Sequence, residues 1–147
     1  MIQLTSSIKD VLDKALADGT PCLLGTASKD GRPQISPKGS VTVFDEQRLC
    51  FWERSLRSSD ANLKGNPHVV VYYRNPARAS EFPGGRGATL RFHGTARVAS
   101  DERTRERAWE LTIPAEKERD PEKKGHAVII EVELVEDLSG AVVMKRD

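Results

Sequence analysis

The chain has 147 residues, 23 Lys and Arg against 22 Asp and Glu, and a net charge of +1. That length predicts one domain over residues 1–147, able to bury about 70% of its unfolded surface without staples, and the balanced charge gives no basic excess for a nucleic-acid partner. No stretch approaches the roughly 20 apolar residues of a membrane span, and Met1 to Thr5 lack the charged and apolar regions of a signal peptide, so a cytoplasmic protein without a membrane partner is expected.

Ile8, Val11, Leu12, Ala15 and Leu16 share a helical face, which predicts a first helix over 7–18, capped by Ser6 or Ser7 and stopped by Gly19 and Pro21. An apolar strand over 22–27 leads into Asp30-Gly31, a hairpin signal. The return run, 33–44, is broken by Pro37-Lys38-Gly39, which predicts a bulge or bend. After the turn at 45–47 comes a strand over 48–53, and Ser58 or Ser59 then caps a short helix that ends before Gly65 and Asn66-Pro67. Val69 to Tyr73 reads as a buried strand, and 75–87, with two prolines and three glycines, as a loop.

Residues 88–98 give the clearest alternation in the chain. Ala88, Leu90, Phe92, Gly94, Ala96 and Val98 lie on one face, with Thr89, Arg91, His93, Thr95 and Arg97 on the other. Ser100 is placed to cap a helix over 101–112, a charged connector reading as a solvated loop covers 114–125, and a strand over 126–135 closes the chain. Six strands joined mostly by short turns favour antiparallel pairing and a closed or nearly closed barrel.

Two segments could carry chemistry. In Ser36-Pro37-Lys38-Gly39-Ser40, glycine permits close approach of a ligand and lysine supplies a positive charge; a bent strand with its lysine in water is the plain alternative. In Trp52 to Asp60, a strand end meets a helix N-terminus, whose free N–H groups suit an anion, and Arg54, Arg57 and the serine hydroxyls of Ser55, Ser58 and Ser59 could add contacts. An ordinary capped helix is the alternative, and Asp60 would compete with a phosphate. Arg91 could meet a ligand or pair with Glu131 or Glu133, and His93 has no visible Ser, Cys or Asp partner that would make it a catalytic base. His68, His93 and His126 match no metal-ligand spacing, and Cys22 and Cys50 read as buried thiols.

Leu49 to Glu53, Arg57 to Leu63 and Asn66-Pro67 followed by Val69 to Tyr73 together resemble the strand–helix–Asn-Pro–strand core of the pyridoxamine 5′-phosphate oxidase superfamily. The resemblance implies a mainly β fold, a six-stranded antiparallel FMN-binding split β-barrel with flanking helices. It implies FMN as cofactor, contacted by Pro37, Lys38, Gly39, Ser40, Trp52, Glu53, Arg57, Ser58, Ser59, Asn62, Thr89 and Arg91. It also implies a homodimer with each flavin at the subunit interface. The family's basic pair at the phosphate falls here on Ser58 and Ser59, which leaves the phosphate to Arg57, Lys38 and the serine hydroxyls. The chain ends Val142 to Asp147 without the Arg-Leu-x-Pro motif of the true oxidases, so oxidation of pyridoxamine phosphate is not expected. The implied function is flavin-dependent oxidoreduction of a small molecule. Deazaflavin-binding, haem-binding and non-catalytic sensing members of the superfamily are the alternatives.

Overall fold

The computed structural model describes residues 1–56, 58–82 and 86–147, with the backbone alone described at Ser58 and Ser59. In chain order the elements are α1 (Ser6–Lys14), β1 (Cys22–Ala27), β2 (Pro33–Lys38), β3 (Thr42–Val43), β4 (Arg48–Glu53), α2 (Ser58–Gly65), β5 (His68–Arg74), β6 (Thr89–Val98), α3 (Glu102–Leu111), α4 (Pro114–Lys117), β7 (His126–Glu136) and β8 (Val142–Lys145). Two 3₁₀ turns, Pro76–Glu81 and Arg86–Ala88, lie between β5 and β6.

Every strand pairing is antiparallel, in the order β2-β1-β5-β6-β7-β4-β3, with β8 paired to β7. The two ends of this path, β2 and β3, are joined by only residues 39–41. Four such steps span at most about 14 Å, whereas the edges of a flat seven-strand sheet stand about 29 Å apart. The sheet therefore curls into a barrel that is split, with no backbone ladder, between β2 and the strands that follow it.

Alternation fills the barrel. Leu24, Val71, Phe92, Val128, Ile130 and Phe51 point inward with Leu49 and Tyr73, and α1 adds Ile8, Val11 and Leu12. Each such side chain contributes about 1.5–3 kcal/mol on burial. β7 is buried on both faces, because Ala127 and Ile129 pack with Cys50, Trp52 and Ala108 beneath α3. Gly94 sits where the β6–β7 register shifts, and a Cβ there would collide with the Glu131 carbonyl.

The sequence expectations hold for the class and topology and need correction in detail. Among the described residues eight strands form rather than six: the 33–44 run divides into β2 and β3 on opposite edges, and β8 follows the Asp137–Gly140 turn. Thr5, not Ser6 or Ser7, caps α1, which is regular only to Lys14. Asp101, not Ser100, caps α3, accepting from Thr104 N. The 114–125 connector is not a plain solvated loop: it holds α4, and its Glu116 and Asp120 are buried.

Candidate functional site

The end of β2 runs into the bend at Gly39–Ser40, and this bend faces the end of β4. Pro37, Lys38, Gly39 and Ser40 line one cavity of about 100 Å³ with Trp52, Glu53, Arg54, Ser55 and Glu116. Alternation explains the facing: Glu53 follows Leu49 and Phe51 on the inward face of β4, and Lys38 lies opposite buried Cys22 on β1. Ser40 ties the bend to β4, its hydroxyl accepting from Trp52 N at 2.9 Å and donating to Trp52 O at 3.2 Å.

Lys38 Nζ donates to Glu53 Oε2 at 2.6 Å, with side-chain exposures of only 11% and 1%. The other Glu53 oxygen accepts from Ser55 Oγ at 2.8 Å and Ser55 N at 3.3 Å. Burial pushes the Glu53 pKa up, but the hydrogen bonds from Lys38 and Ser55 outweigh it and hold the carboxyl below its ordinary value. The plain reading of Lys38 as a lysine in water is thereby excluded.

Trp52 occupies the other face of β4. Its Nε1 donates to Asp120 Oδ2 at 2.8 Å, its ring meets Trp109 edge-on at 4.8 Å, and the Arg105 guanidinium lies 4.9 Å above it. Asp120 also accepts from Lys124 N and Gly125 N. Burial raises its pKa, and these donors more than reverse that. The connector is thus locked beneath the cavity, which positions Glu116.

Six of the predicted site residues, Pro37, Lys38, Gly39, Ser40, Trp52 and Glu53, meet in this cavity. Asn62 does not line it; its Nδ2 donates to Thr26 Oγ1 at 3.0 Å. Thr89 is buried, its hydroxyl donating to Gly87 O at 2.8 Å. Arg91 faces outward in the cross-strand row Pro37–Leu23–Tyr72–Arg91, about 14 Å from Pro37. It donates to Leu138 O at 3.3 Å and stands opposite Glu136 rather than Glu131 or Glu133, while Glu136 pairs with His93 at 2.6 Å. Arg57 and the side chains of Ser58 and Ser59 lie outside the described residues. Ser55 belongs to the Trp52–Asp60 segment, without a place among the expected flavin contacts, whereas the sequence reading missed Glu116, which arrives from 63 positions beyond Glu53 with no local signal.

A split barrel of antiparallel strands with a polar cavity at the split defines the class. Solved structures share the fold. HupZ of Group A Streptococcus superposes with a TM-score of 0.66 at 21% identity, covering 94% of this chain and 97% of that one. General stress protein 26 of Bacillus anthracis gives 0.62 at 14%, covering 95% and 98%, and an F420 reductase gives 0.56 at 17%, covering 86% and 94%. No curated protein matches the chain. The family profile described as pyridoxamine 5′-phosphate oxidase matches residues 8–138, and the chain belongs to that family.

Proposed function

We propose that this chain binds FMN and acts as a flavin-dependent oxidoreductase on a small molecule, as a cytoplasmic homodimer. The observation that carries the reading is the cavity itself: a glycine-bearing bend, a buried Lys38–Glu53 pair and the approach to the α2 N-terminus converge at the split. The residues fit part of the cofactor. Sites for molecules of this size run to about 300–1,000 Å³, so one chain's cavity of about 100 Å³ suits the ribityl chain and leaves the ring to be covered from elsewhere.

The outer sheet face supports a second copy as that cover. Pro33, Ile35 and Pro37 on β2 stand beside Ala27, Gly25 and Leu23 on β1, and Val70 and Tyr72 continue the face on β5. Ile35 is 71% and Leu23 37% exposed, an apolar patch of the kind that marks an interface. The face begins at Pro37, a cavity residue, and ends at Arg91, so an isologous dimer centred on it would bring Arg91 toward the partner's cavity.

Bound FMN would supply the hydride or electron chemistry. Lys38 and Arg91 would provide positive charge beside it, and the bend would hold it. The similarity to an F420 reductase favours a deazaflavin as the second reading. No helix among the described residues is long and apolar enough to cross a membrane.

Titration of apo-protein with FMN, riboflavin and F420 tests the function. FMN should bind most tightly. In Arg57→Ala, FMN should weaken by roughly 10- to 150-fold while riboflavin changes little, because one charge-assisted contact to phosphate is worth about 1.5–3 kcal/mol. Tighter binding of F420 would replace FMN by the deazaflavin, and binding of none of the three would overturn the reading.

A further inference from the structure

The cavity holds two carboxylates in different states. Glu53 is saturated by Lys38 and Ser55. The Glu116 carboxylate, on a side chain only 9% exposed, receives no hydrogen bond from any described residue; the nearest described cation is Arg54 Nε at 3.6 Å, on a side chain 42% exposed. We infer that Glu116 is the hydrogen-bond acceptor for the hydroxyl groups of a bound flavin's ribityl chain, and so a residue that selects for the polyol. This rests on the flavin reading above.

Placement supports the assignment. The Glu116 carboxylate packs onto the bend so closely that a Cβ on Gly39 would collide with its Oε1. Four residues on, Asp120 is fixed by Trp52 Nε1 and Gly125 N, so the carboxylate is held in the cavity rather than swinging in solvent. The Glu116 oxygens are not among the fully buried unpartnered side-chain atoms, so they stay reachable from the cavity, and a ligand that brings donors can bond to them there.

The chemistry narrows which part of the ligand this is. A carboxylate only accepts, so its partner must carry O–H or N–H. A phosphate ionised at neutral pH offers no such donor and would be repelled. The Ser55 hydroxyl is already committed to Glu53. A volume of about 100 Å³ admits a short hydroxylated chain but not a tricyclic ring. Hydroxyl-to-carboxylate hydrogen bonds are short and charge-assisted, which makes a chain of hydroxyls a good match.

The experiment compares riboflavin with lumiflavin, which has the same ring and a methyl group in place of the hydroxylated chain. Both are titrated into apo-protein of wild type, Glu116→Ala, Glu116→Gln and, as control, Glu118→Ala at an exposed position. Glu116→Ala should weaken riboflavin about tenfold and leave lumiflavin unchanged. Glu116→Gln keeps the volume and an accepting oxygen and should lose less; Glu118→Ala should match wild type. Equal losses for both ligands, or no loss for riboflavin, would overturn the assignment while leaving flavin binding intact. A wild type that binds neither riboflavin nor FMN would overturn the flavin reading together with it.

Discussion

Lys38 Nζ and Glu53 Oε2 meet at 2.6 Å across the split of the barrel, from the last residues of two strands that share no backbone pairing. The bond does the work of a missing ladder, and it stands at the cavity wall. Removing one partner of a buried pair leaves an uncompensated charge, at a cost of about 3–5 kcal/mol. Lys38→Ala should fall near 3 kcal/mol in urea denaturation, because Ser55 still donates to Glu53. The double variant Lys38→Met/Glu53→Gln should recover more than half of that. An unchanged denaturation midpoint in Lys38→Ala would show that the pair does not hold the seam.

Glu53 also sets a pH dependence. Its folded pKa lies below the ordinary 4.5, so the folded protein binds the proton more weakly than the unfolded chain. Its contribution is present above the unfolded value and is lost as pH falls from about 4.5 through the lower folded pKa. Stability measured by urea denaturation between pH 6 and pH 3 should therefore decline less steeply in Glu53→Gln than in wild type. Parallel curves would remove Glu53 from the acid response.

Asp120 links the connector to the site. Asp120→Ala deprives the buried Trp52 indole N–H and the Gly125 N–H of their acceptor, each worth about 1–3 kcal/mol when left unsatisfied. The variant should lose about 3 kcal/mol of stability and also bind FMN more weakly, since Trp52 and Glu116 line the cavity. The chain has two tryptophans, so in a Trp109→Phe background the emission reports Trp52 alone. Flavin quenching of that emission, weakened by Asp120→Ala, is the expected readout.

The exposed apolar face predicts an assembly. Wild type should scatter light as twice 16.3 kDa, and Ile35→Glu, which places a charge on the centre row of the face, should shift it to a monomer without lowering the monomer's folded content. FMN affinity should drop as the dimer is lost. A wild-type monomer that binds FMN at full affinity would discard the interface.

Much of the fold is present in the residue pattern. The alternation from Ala88 to Val98, the Asp30-Gly31 hairpin and the Ser–Asn-Pro helix boundaries each depend on residues within a few positions of one another, and each formed close to where the pattern placed it. The site was half legible for the same reason: Pro37 to Ser40 and Trp52-Glu53 are two local segments whose chemistry can be read as they stand. Which face each residue took followed from the period of the strand. The tertiary structure alone decided the rest. It split 33–44 across two sheet edges, because β2 pairs with β1 and β3 with β4, and only the curl of the barrel, set by all its pairings together, brings those edges close enough for residues 39–41 to join them. It turned Lys38 from a solvated charge into half of a buried pair, and it brought Glu116 and Asp120 out of a charged connector into the core. A run of charges looks alike whether it meets water or a tryptophan N–H; only the closing of the barrel over long sequence separations decides which of them loses its water.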